Sequence, residues 1–131
     1  MSLLRAVRAG RVEHCNALLT QSGGGNECLL RQKDIEHGQN ALHWATQYAE
    51  KDSVWIEIME VLLKKGANIH SKNKMGWTCL HIAALFNRQE AVRLLLDNGA
   101  DPTKKDFQGV VPLDMALRQG NQETANVHCL I

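Results

Sequence analysis

The chain has 131 residues, 44% hydrophobic and 22% charged, with 15 basic and 14 acidic side chains and a formal net charge of +1. That is enough for one domain with a sizeable core, and the near balance of charge excludes a global pull toward nucleic acid or an anionic membrane. No apolar run reaches 18 residues, so the pattern contains no transmembrane helix.

In chain order, residues 3–19 read as two short helices. Leu3-Leu4-Arg5-Ala6 leads to Gly10, and Val12 leads to Leu18-Leu19. Ser22-Gly23-Gly24-Gly25-Asn26 reads as a loop by composition. Gly38-Gln39-Asn40-Ala41-Leu42-His43-Trp44-Ala45 opens a second helix pair, whose second member runs into Val61-Leu62-Leu63-Lys64-Lys65-Gly66-Ala67-Asn68. Gly76-Trp77-Thr78-Cys79-Leu80-His81-Ile82-Ala83 opens a third, closed by Leu94-Leu95-Leu96-Asp97-Asn98-Gly99-Ala100-Asp101. Gly109-Val110-Val111-Pro112-Leu113-Asp114-Met115-Ala116 opens a fourth.

These segments echo one another. Gly38, Gly76 and Gly109 each precede a Leu by four residues, followed by His or Asp, one further residue and Ala, and they fall 38 and 33 residues apart. Gly66 and Gly99 are also 33 apart. Both echoes together resemble the ankyrin-repeat family, whose unit is about 33 residues with a Thr-Pro-Leu-His-x-Ala core. Residues 73–105 match best, through Gly76, Thr78, Leu80-His81, Ala83-Ala84, Leu95-Leu96 and Gly99-Ala100. The resemblance implies an all-α solenoid of stacked helix-turn-helix units joined by β-hairpin-like loops. It gives a single domain over 1–131, with repeats near 1–32, 35–70, 73–105 and 106–131.

The local chemistry agrees. Thr78 is placed to cap the helix that begins beside it. Pro112 falls at a helix start, where a missing N–H costs nothing. Gly99 can end a helix with positive φ, and Gly76 and Gly109 suit tight turns. Two insertions depart from the pattern: the 20–34 loop, and extra residues from Ala49 to Trp55 near the turn between the helices of the second unit. The fourth unit is degenerate, with Asp114 at the histidine position and a polar second helix, Gln122 to Leu130, expected as a solvent-facing cap.

Six histidines and four cysteines invite a metal or catalytic reading. His43 and His81 stand in repeat register, and the resemblance implies that they join adjacent turns by hydrogen bonds. Cys79 is expected to be buried. His14-Cys15 and His128-Cys129 lie at opposite ends of the stack, whereas zinc needs ligands converging on one point. His37 and His70 read as solvated loop residues. No CxxC pair, phosphate loop, G-x-S-x-G or H-E-x-x-H occurs. No metal, cofactor or enzymatic activity is therefore expected. Scattered thiols and an N-terminus without a secretory pattern lead to the expectation of an intracellular chain, cytoplasmic or nuclear.

The resemblance implies that partners bind at hairpin tips and along the exposed side of the first helices, which line a concave groove. By register these positions are Glu36, His37, Gln39, Gln47 and Tyr48; then Lys72, Lys74, Met75, Trp77, Leu85 and Phe86; then Lys105, Phe107, Gln108, Val110, Arg118 and Gln119. The expected contacts are Tyr48, Lys72, Lys74, Met75, Trp77, Leu85, Phe86, Lys105, Phe107, Val110 and Arg118. Apolar side chains clustered at exposed positions suggest an interaction site. The surrounding lysines and Arg118 favour a partner with acidic residues flanking a hydrophobic segment. The expected function is a monomeric protein-interaction module of adaptor, scaffold or inhibitor type, in which Trp77→Ala abolishes binding without loss of fold. The alternative is a nucleic-acid-associated factor using Lys64, Lys65, Lys72, Lys74, Lys104 and Lys105, which would show steep salt dependence.

Overall fold

A computed structural model describes residues 3–21, 30, 32–49, 53–118 and 120. Among the described residues seven helices follow one another: α1 (Leu3–Arg8), α2 (Val12–Gln21), α3 (Ala41–Tyr48), α4 (Ser53–Lys64), α5 (Cys79–Leu85), α6 (Gln89–Asp97) and α7 (Pro112–Arg118). Within each unit the two helices pack on each other, α1 on α2, α3 on α4 and α5 on α6. Between units, α1, α3, α5 and α7 touch in series, and α2, α4 and α6 form a second series behind them. The result is an all-α repeat solenoid two helices deep. A stack of this kind suits these sequences because no single pair can bury its own apolar face.

The core runs along the interface between the two series. Leu3, Val7, Leu42, Ile58, Met59, Leu62, Leu80 and Leu95 are each at most 1% exposed. Ala6, Ala45, Ala83 and Ala116, all on first helices, are fully buried. At those positions a larger side chain would push neighbouring helices apart.

The helix ends follow the sequence signals. Thr78 N–H donates to His81 Nδ1 at 3.1 Å, and Asn40 N–H donates to His43 Nδ1 at 3.1 Å. Asn40 Oδ1 accepts the His43 N–H at 3.0 Å, so the cap of α3 is reciprocal. Pro112 opens α7. At the end of α6, Gly99 N–H bonds to Leu96 O and Ala100 N–H to Leu95 O; Gly66 and Ala67 repeat the pattern after α4. This double bond past the helix end uses carbonyls the helix leaves unpaired, and it requires the positive φ that glycine takes readily.

Between units the chain doubles back without forming a strand among the described residues. The loops are hairpin-like in their pairing: Asp34 N–H to Gln39 O, Asn73 N–H to Trp77 O and Asp106 N–H to Val110 O, all within 3.0 Å. Most of the 20–34 loop, residues 50–52 of the insertion, Gln119, and the expected second helix from Gln122 to Leu130 lie outside the described residues. Trp55 is not in a turn: it lies on α4, which begins at Ser53. Its ring packs where a Cβ on Gly10 would sit 3.2 Å away, so the insertion sets Trp55 against the first repeat.

Candidate functional site

Each hairpin tip is organised by one carboxylate or amide. Asp34 Oδ1 accepts the N–H groups of His37 and Gln39 at 3.2 and 2.8 Å. Asn73 Oδ1 accepts those of Met75 and Trp77 at 2.9 and 3.0 Å. Asp106 Oδ1 accepts those of Gln108 and Val110, both at 2.9 Å. A side-chain oxygen that satisfies two backbone donors holds its turn in one shape. Burial pushes the Asp106 carboxyl up, but the hydrogen bonds from Val110, Gln108 and the Trp77 indole outweigh it and hold its pKa below the ordinary value.

The tips are also bonded to one another. Lys74 N–H donates to His37 O at 3.0 Å and Phe107 N–H to Met75 O at 3.3 Å. Lys33 Nζ reaches Lys72 O at 2.8 Å, Lys72 Nζ reaches Lys105 O at 3.4 Å, and Lys74 Nζ donates to Ile35 O. Lysine heads are thus tied to neighbouring tip carbonyls, with Lys72 also 5.9 Å from the Phe107 ring centre.

Below the tips, the two motif histidines join repeats. His43 Nε2 meets Ser71 O at 2.9 Å and His81 Nε2 meets Val110 O at 2.8 Å. Because each Nδ1 accepts a cap N–H, each ring is a neutral tautomer with its proton on Nε2. Burial lowers the His43 pKa to about 4 and lowers that of His81 as well. An unfolded His43 takes up a proton below about pH 6.5, while the folded one resists until about pH 4. Stability is therefore full above pH 6.5 and falls as pH drops through that window. The His43 contribution alone amounts to about 3 kcal/mol, with His81 acting in the same direction. Urea midpoints should hold from pH 7.5 to about 6.5 and fall from there to pH 4.5, and the His43→Gln variant should show a shallower fall.

The expected contact residues separate into three groups. Lys72, Lys74, Met75, Lys105 and Phe107 lie together on the tips; all are exposed, Met75 to 46% and Phe107 to 70%. Tyr48, Leu85, Phe86 and Arg118 lie on the first-helix series. Tyr48 and Leu85 are half-buried, and Phe86 (38%) and Arg118 are exposed. Trp77 and Val110 differ from the exposed positions expected of them. Trp77 is half-buried, and its indole N–H donates to Asp106 Oδ2 at 3.0 Å, tying two tips. Val110 is 7% exposed, since its N–H and carbonyl are taken by Asp106 and His81 and its side chain turns into the stack. Gln39 is buried too, accepting from Asn73 Nδ2.

Two features escaped the sequence reading. Ile35, at 89%, is the most exposed large apolar residue among those described. It follows Asp34 as Phe107 follows Asp106, a register signal that was present in the sequence. The second is an arginine and aromatic cluster around Trp44, which repeat register alone assigns to the core.

Among the described residues no three His, Cys, Asp or Glu side chains come together to hold a metal. Cys15 and Cys79 are free, buried thiols, pushed by burial up to about 11 and 12. They stay protonated near neutrality and are poor nucleophiles. No helix among the described residues is long and apolar enough to cross a membrane.

Paired helices in two series, with bonded tips left standing at one edge, define a repeat solenoid of the kind that presents an extended surface. A family model described as ankyrin repeats (3 copies) matches residues 3–106 and again 56–127. The chain belongs to the ankyrin-repeat family, whose repeats are protein-interaction modules. It is 33% identical over 90 residues to human SH3 and multiple ankyrin repeat domains protein 2, covering 69% of this chain and 5% of that protein. It is equally identical over 90 residues to pig (Sus scrofa) NF-kappa-B inhibitor alpha, covering 69% and 28%. It is 32% identical over 107 residues to E3 ubiquitin-protein ligase hecd-1 of Caenorhabditis elegans, covering 72% and 4%. The chain therefore spans less than a third of the length of each of these relatives.

Proposed function

We propose that the chain is a single four-repeat, monomeric and intracellular interaction module without catalytic activity. It acts as an adaptor, scaffold or inhibitor by binding a partner segment in which acidic residues flank a hydrophobic stretch. The observation that carries this reading is Phe107, an aromatic side chain 70% exposed on a tip whose backbone is fixed on both sides. Exposed apolar area held by a rigid frame loses little entropy on binding and is the usual anchor of an interface. Met75 lies beside it, and Lys72 and Lys105 supply the positive rim. Neutral, hydrogen-bonded histidines and protonated buried thiols support the non-catalytic reading. The similarity to two proteins known as an NF-kappa-B inhibitor and an SH3 and multiple ankyrin repeat domains protein supports the same reading.

Trp77→Ala is a poor test, because it also removes the bond to Asp106. Phe107→Ala with Met75→Ser changes only exposed side chains. That double variant is expected to keep its unfolding midpoint and weaken the captured partner roughly thirtyfold, equivalent to about 2 kcal/mol. Calorimetric titration of the purified partner reads the change, and an unaltered affinity would refute the tip assignment.

A further inference from the structure

α1 and α3 enclose a cleft of about 490 Å³ between the first two repeats. Leu4, Arg5 and Arg8 of α1 wall one side, Trp44 and Tyr48 of α3 the other, and Asp34 of the adjoining hairpin joins them. Arg8 lays its guanidinium over Trp44, with Cζ 4.6 Å from the ring centroid. Trp44 and Tyr48 stack at 5.8 Å with 19° between their planes, and the His37 ring meets Trp44 edge-on at 5.8 Å. Trp44 is 6% exposed, and its indole N–H has no hydrogen-bond partner among the described residues.

The contact places the Arg8 guanidinium carbon over the Trp44 ring, and a guanidinium carries along its edge a fork of N–H donors that matches a carboxylate. Among the described residues nothing forms an ion pair or hydrogen bond with that edge. Arg8 brings its donors into the cleft, while Asp34 Oδ1, on the adjoining hairpin, is already occupied by two backbone N–H groups. The unpaired Arg8 edge is complementary to an anionic oxygen guest. The volume lies in the range of small-ligand sites and holds one or two side chains. Trp44 is only 6% exposed, with Arg8 and Tyr48 both packed on it, so little of the ring is left on which to stack a nucleic-acid base.

We propose that this cleft binds a glutamate or aspartate side chain of an extended partner segment, with the carboxylate on the Arg8 edge and a neighbouring apolar residue against Leu4 and Tyr48. The proposal rests on the interaction-module reading and adds a second subsite, distinct from the Met75 and Phe107 tips.

The test is a nuclear magnetic resonance titration of the whole chain with N-acetyl-Gly-Glu-Leu-Gly-amide at low salt. The Arg8 Nε–H and Trp44 indole N–H signals are followed. Both should move and saturate. The Gln-for-Glu peptide should bind at least tenfold more weakly, as should the Arg8→Gln variant, which alters an exposed side chain. Arg8→Lys, which keeps the charge and loses the fork, should fall between. Equal binding of the two peptides, unchanged affinity in Arg8→Gln, or no movement of either signal would overturn the proposal. So would a response only to a peptide with a free C-terminal carboxylate, or a stronger response to a short single-stranded oligouridylate. Movement confined to Met75, Trp77 and Phe107 would remove this subsite and leave the interaction-module reading intact.

Discussion

Gly76→Ala is expected to destabilise the protein by about 3 kcal/mol or more, through two separate effects. Gly76 has φ +79°, a conformation in which a Cβ costs roughly 1–2 kcal/mol. That Cβ would also lie 2.6 Å from the backbone nitrogen of Phe107 and 2.7 Å from its ring. The nearest atom is main chain and cannot swing aside as a side-chain end would, so the tips of the third and fourth repeats must separate. Gly66→Ala is the matched comparison. Its φ is +96°, yet a Cβ there meets nothing within 4 Å, so only the backbone term of about 1 kcal/mol should appear. Urea unfolding of the two variants reads the difference. Equal costs would show that the tips do not approach as closely as described. The Gly76 variant should also lose partner binding, since Phe107 is the side chain it displaces.

His81→Ala should cost about 3 kcal/mol and lower the thermal midpoint by roughly 10 °C. The ring is fully buried, accepts the Thr78 N–H and donates to the Val110 carbonyl. Its removal leaves a buried donor and a buried acceptor without partners, each worth about 1–3 kcal/mol, and opens a cavity beside them. Because Val110 belongs to the next tip, the loss should appear as uncoupling of the fourth repeat. Hydrogen exchange would show this as faster exchange at the Val110 and Met115 amides than at Leu42 or Ala45. A uniform loss of protection along the whole stack would refute the repeat-to-repeat role. A change confined to an exposed charge, such as Arg93→Ala, should move the midpoint by about 0.5 kcal/mol or less.

The fold was legible because its signals are local and repeated. Gly38, Gly76 and Gly109 mark the turns, Asn40 and Thr78 the helix starts, and Gly66 and Gly99 the helix ends. Each acts through the backbone within a few residues of itself, so spacing alone conveys it. The histidine role was legible by family likeness, and the geometry shows its physical basis in a neutral ring bonded on both nitrogens. The binding surface was legible only in part. Register places Met75 and Phe107 at the tips, where they are exposed. Register also places Val110 and Trp77 there, although both are held by bonds to a residue 4 or 29 positions away.

By itself, then, the sequence determined the repeat and the capped helix ends, because these depend on propensity, capping and turn chemistry within one unit; the histidine links, which join neighbouring units, came from the family likeness. Only the tertiary structure decided which side chains face outward. It turned Val110 in and Ile35 out, moved Trp55 from a turn onto α4 against Gly10, and brought Arg8 over Trp44 across 36 positions of chain. The physical reason is that exposure in a stacked protein is set by the neighbouring repeat. What covers a side chain, or leaves it bare, lies about one repeat length away in the chain, beyond the reach of any local pattern.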